Sequence, residues 1–385
     1  MLLEGRRYDT GEAVVVSIDG PRLAAVSPRT APRAGLPWLA PALVDLQVNG
    51  YDGQEFSSSD LTPEHVRAIV ARHVSFGVGA LCPTLTTNAA QVFDHALAVI
   101  AAACERWPEV AHAVPGIHLE GPYLSGEEGP RGAHPAEHCR PPDWDEFCRW
   151  QNAASGRIKL ITLSPEYDEA PTFIERAVRS GVLVSIGHAA ATSEQIRAAV
   201  DAGATLSTHL GNGAHRTLPR HPNYLWDQLA DDRLTASLIC DGHHLPPEVV
   251  QTFVRAKTPA RCILVSDESG LAGLPPGRYA SSGCELDILS DGRLVIAGQR
   301  QLLAGASRPL GAGVAHVMRF AGVSLREAIE MASVRPAALL GRPVCRFERG
   351  DPADLVAFDL TDSADGSPSF DVRQTIIRGC IAYGR

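Results

Sequence analysis

Between residues 43 and 266, short apolar and β-branched runs recur, each ending at a turn signal and followed by polar residues. Eight runs of strand length fall near 43–48, 78–82, 111–119, 157–163, 182–187, 204–208, 235–240 and 261–266. Amphipathic stretches of helical period separate them. Thr62-Pro63-Glu64 supplies an N-cap and a proline at the first helical position ahead of Val66, Ile69 and Val70. Thr192 and Gln195 have capping-box spacing and open a helix through Ile196, Ala199 and Val200, stopped by Gly203. Ser324 and Glu327 repeat that spacing before Ala328, Met331 and Ala332. Strands alternating with helices predict βα units, hence an α/β fold built on a (β/α)8 TIM barrel over residues 39–346.

The two ends follow another pattern. Residues 1–38 hold short strand-like runs (13–18 and 23–26) broken by Gly and Pro turns. From Arg349 a turn at 350–354 leads into a strand, and 375–383 reads as a hairpin. A lone hairpin is too small to bury a core. The pattern therefore predicts that both ends, 1–38 and 347–385, pair into one small β domain beside the barrel.

The chemistry-bearing residues sit where the strand-like runs stop. Glu120 ends 111–119, His188 ends 182–187, and His209 ends 204–208. Asp241-Gly242-His243-His244 follows 235–240, and Ser266-Asp267-Glu268 closes 261–266. A barrel assembles its site from such strand ends at one face. Any one of these fragments alone is more often a hydrogen-bonded or surface residue. Their joint placement points to a metal site, because core positions select Val, Ile and Leu and seldom bury Asp, Glu or His without a partner. One carboxylate, two histidines and a separate aspartate suffice for a zinc-type hydrolase. His118 shares a strand face with Glu120 and is read as interior packing. Cys240 is read as a buried apolar residue, and His73, His95, His112 and His138 receive no role.

Composition narrows the class. A net charge of -9 over 385 residues argues against general nucleic-acid binding. Nine scattered cysteines without a C-x-x-C pair form neither a disulfide framework nor a thiolate zinc site. The start lacks the apolar core of a signal peptide, and no later run is long enough to span a bilayer. A cytoplasmic enzyme is expected, with no nucleic-acid or membrane partner.

Several segments together resemble the N-acetylglucosamine-6-phosphate deacetylase family of metal-dependent amidohydrolases. They are Pro41-Ala42-Leu43-Val44-Asp45-Leu46-Gln47-Val48-Asn49-Gly50, Pro83-Thr84-Leu85, His118-Leu119-Glu120-Gly121-Pro122 and Gly132-Ala133-His134-Pro135. Gly187-His188, Thr208-His209-Leu210, Asp241-Gly242-His243-His244 and the turn at 350–355 complete the set. The resemblance runs through nearly the whole chain. It implies a distorted (β/α)8 barrel with a small β-sandwich domain, usually as a homodimer.

Carried over by position, the resemblance implies that Glu120, His188 and His209 bind one divalent metal ion per chain. Zinc is the first choice, with iron, cobalt or manganese as alternatives. It makes Asp267 the catalytic acid/base and places His244 against the substrate acetamido carbonyl. Ala133, His134, Asn212, Gly213, Arg220, Asp241, Ala304, Gly305 and Ala306 match substrate-contact positions. Many amidohydrolases carry a His-x-His pair where this chain has Gln47 and Asn49. Neutral amides are poor zinc ligands, so these two are expected behind the ligands, supporting or packing. The chain departs from the family after His209, where 211–223 replaces the usual F-N-A-M continuation, and at Glu268-Ser269-Gly270. Arg131, Arg216 and Arg220 are the candidates for an anionic group on the substrate.

The expected activity is hydrolysis of the N-acetyl amide of an amino sugar, first of all N-acetylglucosamine 6-phosphate. The same chemistry on an unphosphorylated or epimeric N-acetyl hexosamine, or on an N-acyl amino acid, is the alternative. A sugar-binding homologue without catalysis is a third reading, opposed by the joint presence of Glu120, His188, His209 and Asp267.

Overall fold

Eight parallel strands form one sheet in chain order: Leu43–Val48, Val78–Thr86, Ile117–Glu120, Ile158–Leu163, Leu183–Ile186, Leu206–Ser207, Thr235–Leu238 and Cys262–Leu264. The chain is seen in a computed structural model that describes residues 1–29, 35–281, 284–363 and 366–384. The first and last strands meet through a parallel bridge between Val48 and Glu268. Asp267 N donates to Gln47 O at 3.0 Å, and Asn49 N donates to Glu268 O at 2.8 Å. The sheet thus closes into the expected (β/α)8 barrel. Val44, Leu46, Ala80, Cys82, Leu160, Leu206, Ile239, Ile263 and Val265 make one buried cluster across successive strands, the filled centre of a barrel.

The capping signals act as their chemistry dictates. Thr62 caps Pro63–Val74, and both halves of the capping box form at Thr192 and at Ser324. The run at 111–119 is the exception. Its first part belongs to the helix Pro108–Ala113, and only Ile117–Glu120 is strand. Pro108 starts that helix, and Val110 and Ala113 bury one helical face. The run is broken at Pro115-Gly116, a turn signal that separates the helix from the strand.

Both chain ends meet in one seven-stranded sheet ordered Cys380–Gly384, Pro368–Ile377, Leu355–Asp362, Trp38–Pro41, Leu2–Arg7, Ala13–Asp19 and Arg22–Pro28. An Arg22–Pro352 bridge folds its outer strand back toward the middle. The pattern analysis passed over a third unit. Gly277–Ser281, Cys284–Ile288, Leu294–Ile296 and Gln299–Leu303 form an antiparallel meander between Asp267 and Ala304. Its signal was present: Cys284-Glu285-Leu286-Asp287-Ile288 alternates strictly, and Asp291-Gly292 marks a turn before Leu294. No helix among the described residues is long and apolar enough to cross a membrane.

Candidate active site

A cavity of about 320 Å³ opens where the barrel strands end. Glu120, His188, His209, His244 and Asp267 line it, together with Asn49, Ala133, His134, Asn212, Gly213, Ala304 and Gly305. The meander contributes Leu286 and Leu303 to the wall. Asp241 and Ala306 stand just behind the lining, Asp241 bonded to His244 and Ala306 to the Asp267 carbonyl. Arg220 and Arg216 are exposed and are not among the lining residues.

Three donor atoms converge from three strand ends. His209 Nε2 lies 2.9 Å and His188 Nε2 3.2 Å from Glu120 Oε1, and the two imidazole nitrogens are 3.0 Å apart. All three side chains are nearly sealed from solvent. His188 Nδ1 sits 2.8 Å from Pro130 O, a pure acceptor, so Nδ1 carries a proton and Nε2 is the atom turned toward the other two groups. It faces a carboxylate oxygen and a second imidazole nitrogen. Such a group of inward-facing donors fits a divalent cation, and Glu/His/His is an established catalytic zinc set. Burial alone would raise the Glu120 carboxyl, but the His188 and His209 hydrogen bonds hold it well below the usual carboxylate range. His209 stays above its ordinary value, because the Glu120 hydrogen bond and charge outweigh burial.

His134 was expected as a substrate contact only. Its Nε2 lies 3.3 Å from His188 Nε2, and the donors of Glu120, His134 and His188 fall within 4.8 Å of one another. Burial, then the facing His188, pushes its pKa down to about 3, so the ring is neutral. Position alone gave no signal of this, since His134 lies on a loop and not at a strand end.

The backbone at this face departs from regular geometry. His188, His209 and Asp267 have φ of 50°, 28° and 54°. Non-glycine residues in the left-handed region cost roughly 1–3 kcal/mol each and persist only where the surroundings over-determine them. Two glycines make room for His188: a Cβ on Gly213 would meet Nδ1 at 2.6 Å, and one on Gly132 would meet Cε1 at 3.2 Å.

Asp267 is held by amides. Asn49 Nδ2 donates to its Oδ1 at 2.7 Å and Gln47 Nε2 at 3.1 Å. Gln47 and Asn49, expected behind the metal ligands, both donate to this carboxylate, and Asn49 also lines the cavity. Burial and the Glu120 charge push the Asp267 carboxyl up to about 6, against the pull of His209, His244 and Asn49. Asp241 orients His244 by accepting from His244 Nδ1 at 2.8 Å and from the His243 and His244 amides. Burial opposes its ionisation, but the His244 hydrogen bond brings its pKa down to about 2. With Nδ1 engaged, His244 Nε2 is the nitrogen that faces the cavity.

His118 is an interior residue, as expected. It is bonded to Leu46 O at 3.1 Å and Thr162 Oγ1 at 2.8 Å, and burial pushes its pKa down to about 4.

Residues 38–382 match the model of the amidohydrolase family. The N-acetylglucosamine-6-phosphate deacetylase of Bos taurus is 34% identical over 90% of this chain and 83% of its own length. The N-acetylgalactosamine-6-phosphate deacetylase of Escherichia coli O157:H7 is 32% identical over 83% of each chain. A mutant N-acetyl-D-glucosamine-6-phosphate deacetylase of Mycobacterium smegmatis, solved in complex with N-acetyl-D-glucosamine 6-phosphate, superposes with a TM-score of 0.87. It shares 29% identity and 99% coverage of both chains.

Proposed function

We propose, from the amidohydrolase family to which this chain belongs, that it is a deacetylase releasing acetate from an N-acetylated amino sugar, first of all N-acetylglucosamine 6-phosphate. One observation carries the reading: Glu120, His188, His209 and Asp267 converge on one cavity at the end of the barrel strands. Glu120, His188 and His209 would hold one divalent ion, zinc by preference. Bound there, such an ion lowers the pKa of water to about 7 and polarises an amide carbonyl.

The residues of the chain supply the rest. Asp267 takes the proton of the attacking water and delivers it to the departing amine nitrogen. The amides of Gln47 and Asn49 occupy Oδ1, which leaves Oδ2 for that exchange. His244, held at Nδ1 by Asp241, donates a hydrogen bond to the developing oxyanion. Ala133, His134, Asn212, Gly213, Ala304 and Gly305 position the sugar. Residues 39–346 are the catalytic barrel, and 1–38 with 347–385 the supporting β domain, in a cytoplasmic homodimer.

A second reading takes the same reaction to an unphosphorylated or epimeric N-acetyl hexosamine. It is favoured by the cavity lining, which holds no lysine or arginine among the described residues. Acetate release from N-acetylglucosamine and N-acetylgalactosamine, each with and without its 6-phosphate, tests both readings. No turnover of any of the four by metal-loaded enzyme rejects both.

A further inference from the structure

A carboxylate and an imidazole outside the cavity form a sealed pair at the seam of the barrel. Glu268 Oε2 lies 3.1 Å from His73 Nε2, and the two side chains are 0% and 1% exposed. His73 Nδ1 lies 2.9 Å from Ile69 O, which can only accept, so that nitrogen carries a proton. Burial alone would lower the His73 pKa, but the facing Glu268 raises it above its ordinary value. The two groups are therefore packed against each other out of contact with solvent. An unpaired buried charge is costly, so neither partner is free to swing away.

The pair lies where Asp267 is held. Glu268 follows Asp267 directly, and its backbone bridges both Val48 and Ala306 across the closing seam. Its carbonyl accepts from Asn49 N at 2.8 Å and from Gly50 N at 3.3 Å. Asn49 in turn donates from Nδ2 to Asp267 Oδ1. His73 stands on Pro63–Val74, the first helix of the barrel, and packs edge-on against Tyr51 at a ring distance of 5.9 Å. One chain of contacts thus runs from that helix through Glu268 to both backbone neighbours of the left-handed Asp267 and to its amide donor.

We infer that Glu268 and His73 are positioning residues, a buried ion pair that pins the barrel seam so that Asp267 and Asn49 stay in register for proton transfer. The inference rests on the proposed deacetylase reading only for its kinetic readout.

E268Q, H73Q and the double variant test it, in metal-loaded enzyme with the best turned-over sugar. The expectation is a fall in kcat of about tenfold in each single variant. The double variant should fall by the same factor, because one pair is broken in all three. KM should stay within about twofold and bound metal at the wild-type amount. Hydrogen exchange in residues 47–52 should quicken in all three, a readout that needs no substrate. Wild-type kcat with unchanged exchange in E268Q overturns the inference, as does loss of metal or a multiplied loss in the double variant. Should the single variants fail to fold, H73L/E268L leaves no buried charge unpaired. Folded protein with low kcat and quick exchange at 47–52 supports pinning, and wild-type values of both overturn it. A wild-type enzyme inactive on every sugar rejects the functional reading, while the exchange result still decides the pairing.

Discussion

Asn49 Nδ2 donates to Asp267 Oδ1 at 2.7 Å, so the residue that follows the first barrel strand holds the carboxylate. Neutral amide oxygens compete poorly for zinc, and both amides are oriented by the Asp267 carboxylate. The enzyme should therefore purify with about one divalent ion per chain. Two ions per chain by elemental analysis, with either amide coordinated, would contradict this arrangement.

The site separates binding from proton transfer. Asp267→Asn keeps the shape and should retain metal and substrate binding while losing most of kcat. Glu120→Ala, His188→Ala and His209→Ala should each lose the ion. His134 is the informative comparison, since its Nε2 also reaches His188. If His134→Ala strips the metal and His209→Ala does not, the ligand set is Glu120, His134 and His188.

Gly213 has φ of +56° and would drive a Cβ to within 2.6 Å of His188 Nδ1, the atom bonded to Pro130 O. Gly213→Ala should weaken metal affinity by roughly 10–100-fold, the usual cost of disturbing a group that orients a ligand. Gly181→Ala is the control. It shares the positive φ, but nothing lies within 4 Å of its Cβ. Equal metal loss in both variants would assign the effect to backbone strain alone.

How much of this was legible depends on what each residue signals. Glu120, His188, His209 and Asp267 stood out because they end apolar runs, a pattern that packing does not produce. His134 carries no such mark, since a loop histidine is ordinary and only folding brings it beside His188. Glu268 stood out only as the neighbour of Asp267, and His73 not at all. They lie far apart in the chain, and a buried pair of that kind is written in three dimensions only. The meander at 277–303 was legible but masked by the stronger βα rhythm around it. The split of 111–119 turned on Pro108, whose place at a helix start outweighs the β-branched residues that follow it.

Asp354 joins the terminal sheet to the barrel. His112 Nε2 lies 2.8 Å and Arg342 Nη2 3.3 Å from its Oδ2. Burial alone would raise this carboxyl, but the His112 hydrogen bond and the Arg378 amide hold it below its usual value. A depressed folded-state pKa contributes stability that is present above the unfolded value, about 3.9, and lost as pH falls through the folded one. Asp354→Asn should therefore lower Tm at neutral pH and flatten the fall in Tm below about pH 4. Parallel Tm profiles for variant and wild type would show that the pair adds no pH-dependent stability.

Arg220 decides whether a phosphate is read. It sits in the rewritten loop after His209, exposed and outside the cavity lining. An arginine contact to phosphate is charge-assisted and often bidentate, worth roughly 1.5–3 kcal/mol per hydrogen bond to a charged group. If the loop brings Arg220 onto the substrate, Arg220→Ala should lower kcat/KM for the 6-phosphate sugar by at least about tenfold, since about 1.4 kcal/mol is one decade. The unphosphorylated sugar should be nearly untouched. Arg216 lies four residues away and is also exposed, so it can substitute in part, and the double variant is the sharper measurement. Equal losses on both sugars would mean that these arginines shape the loop. The exposed position of Arg220 would then be its resting place, and the chain would belong with deacetylases of free or otherwise modified amino sugars.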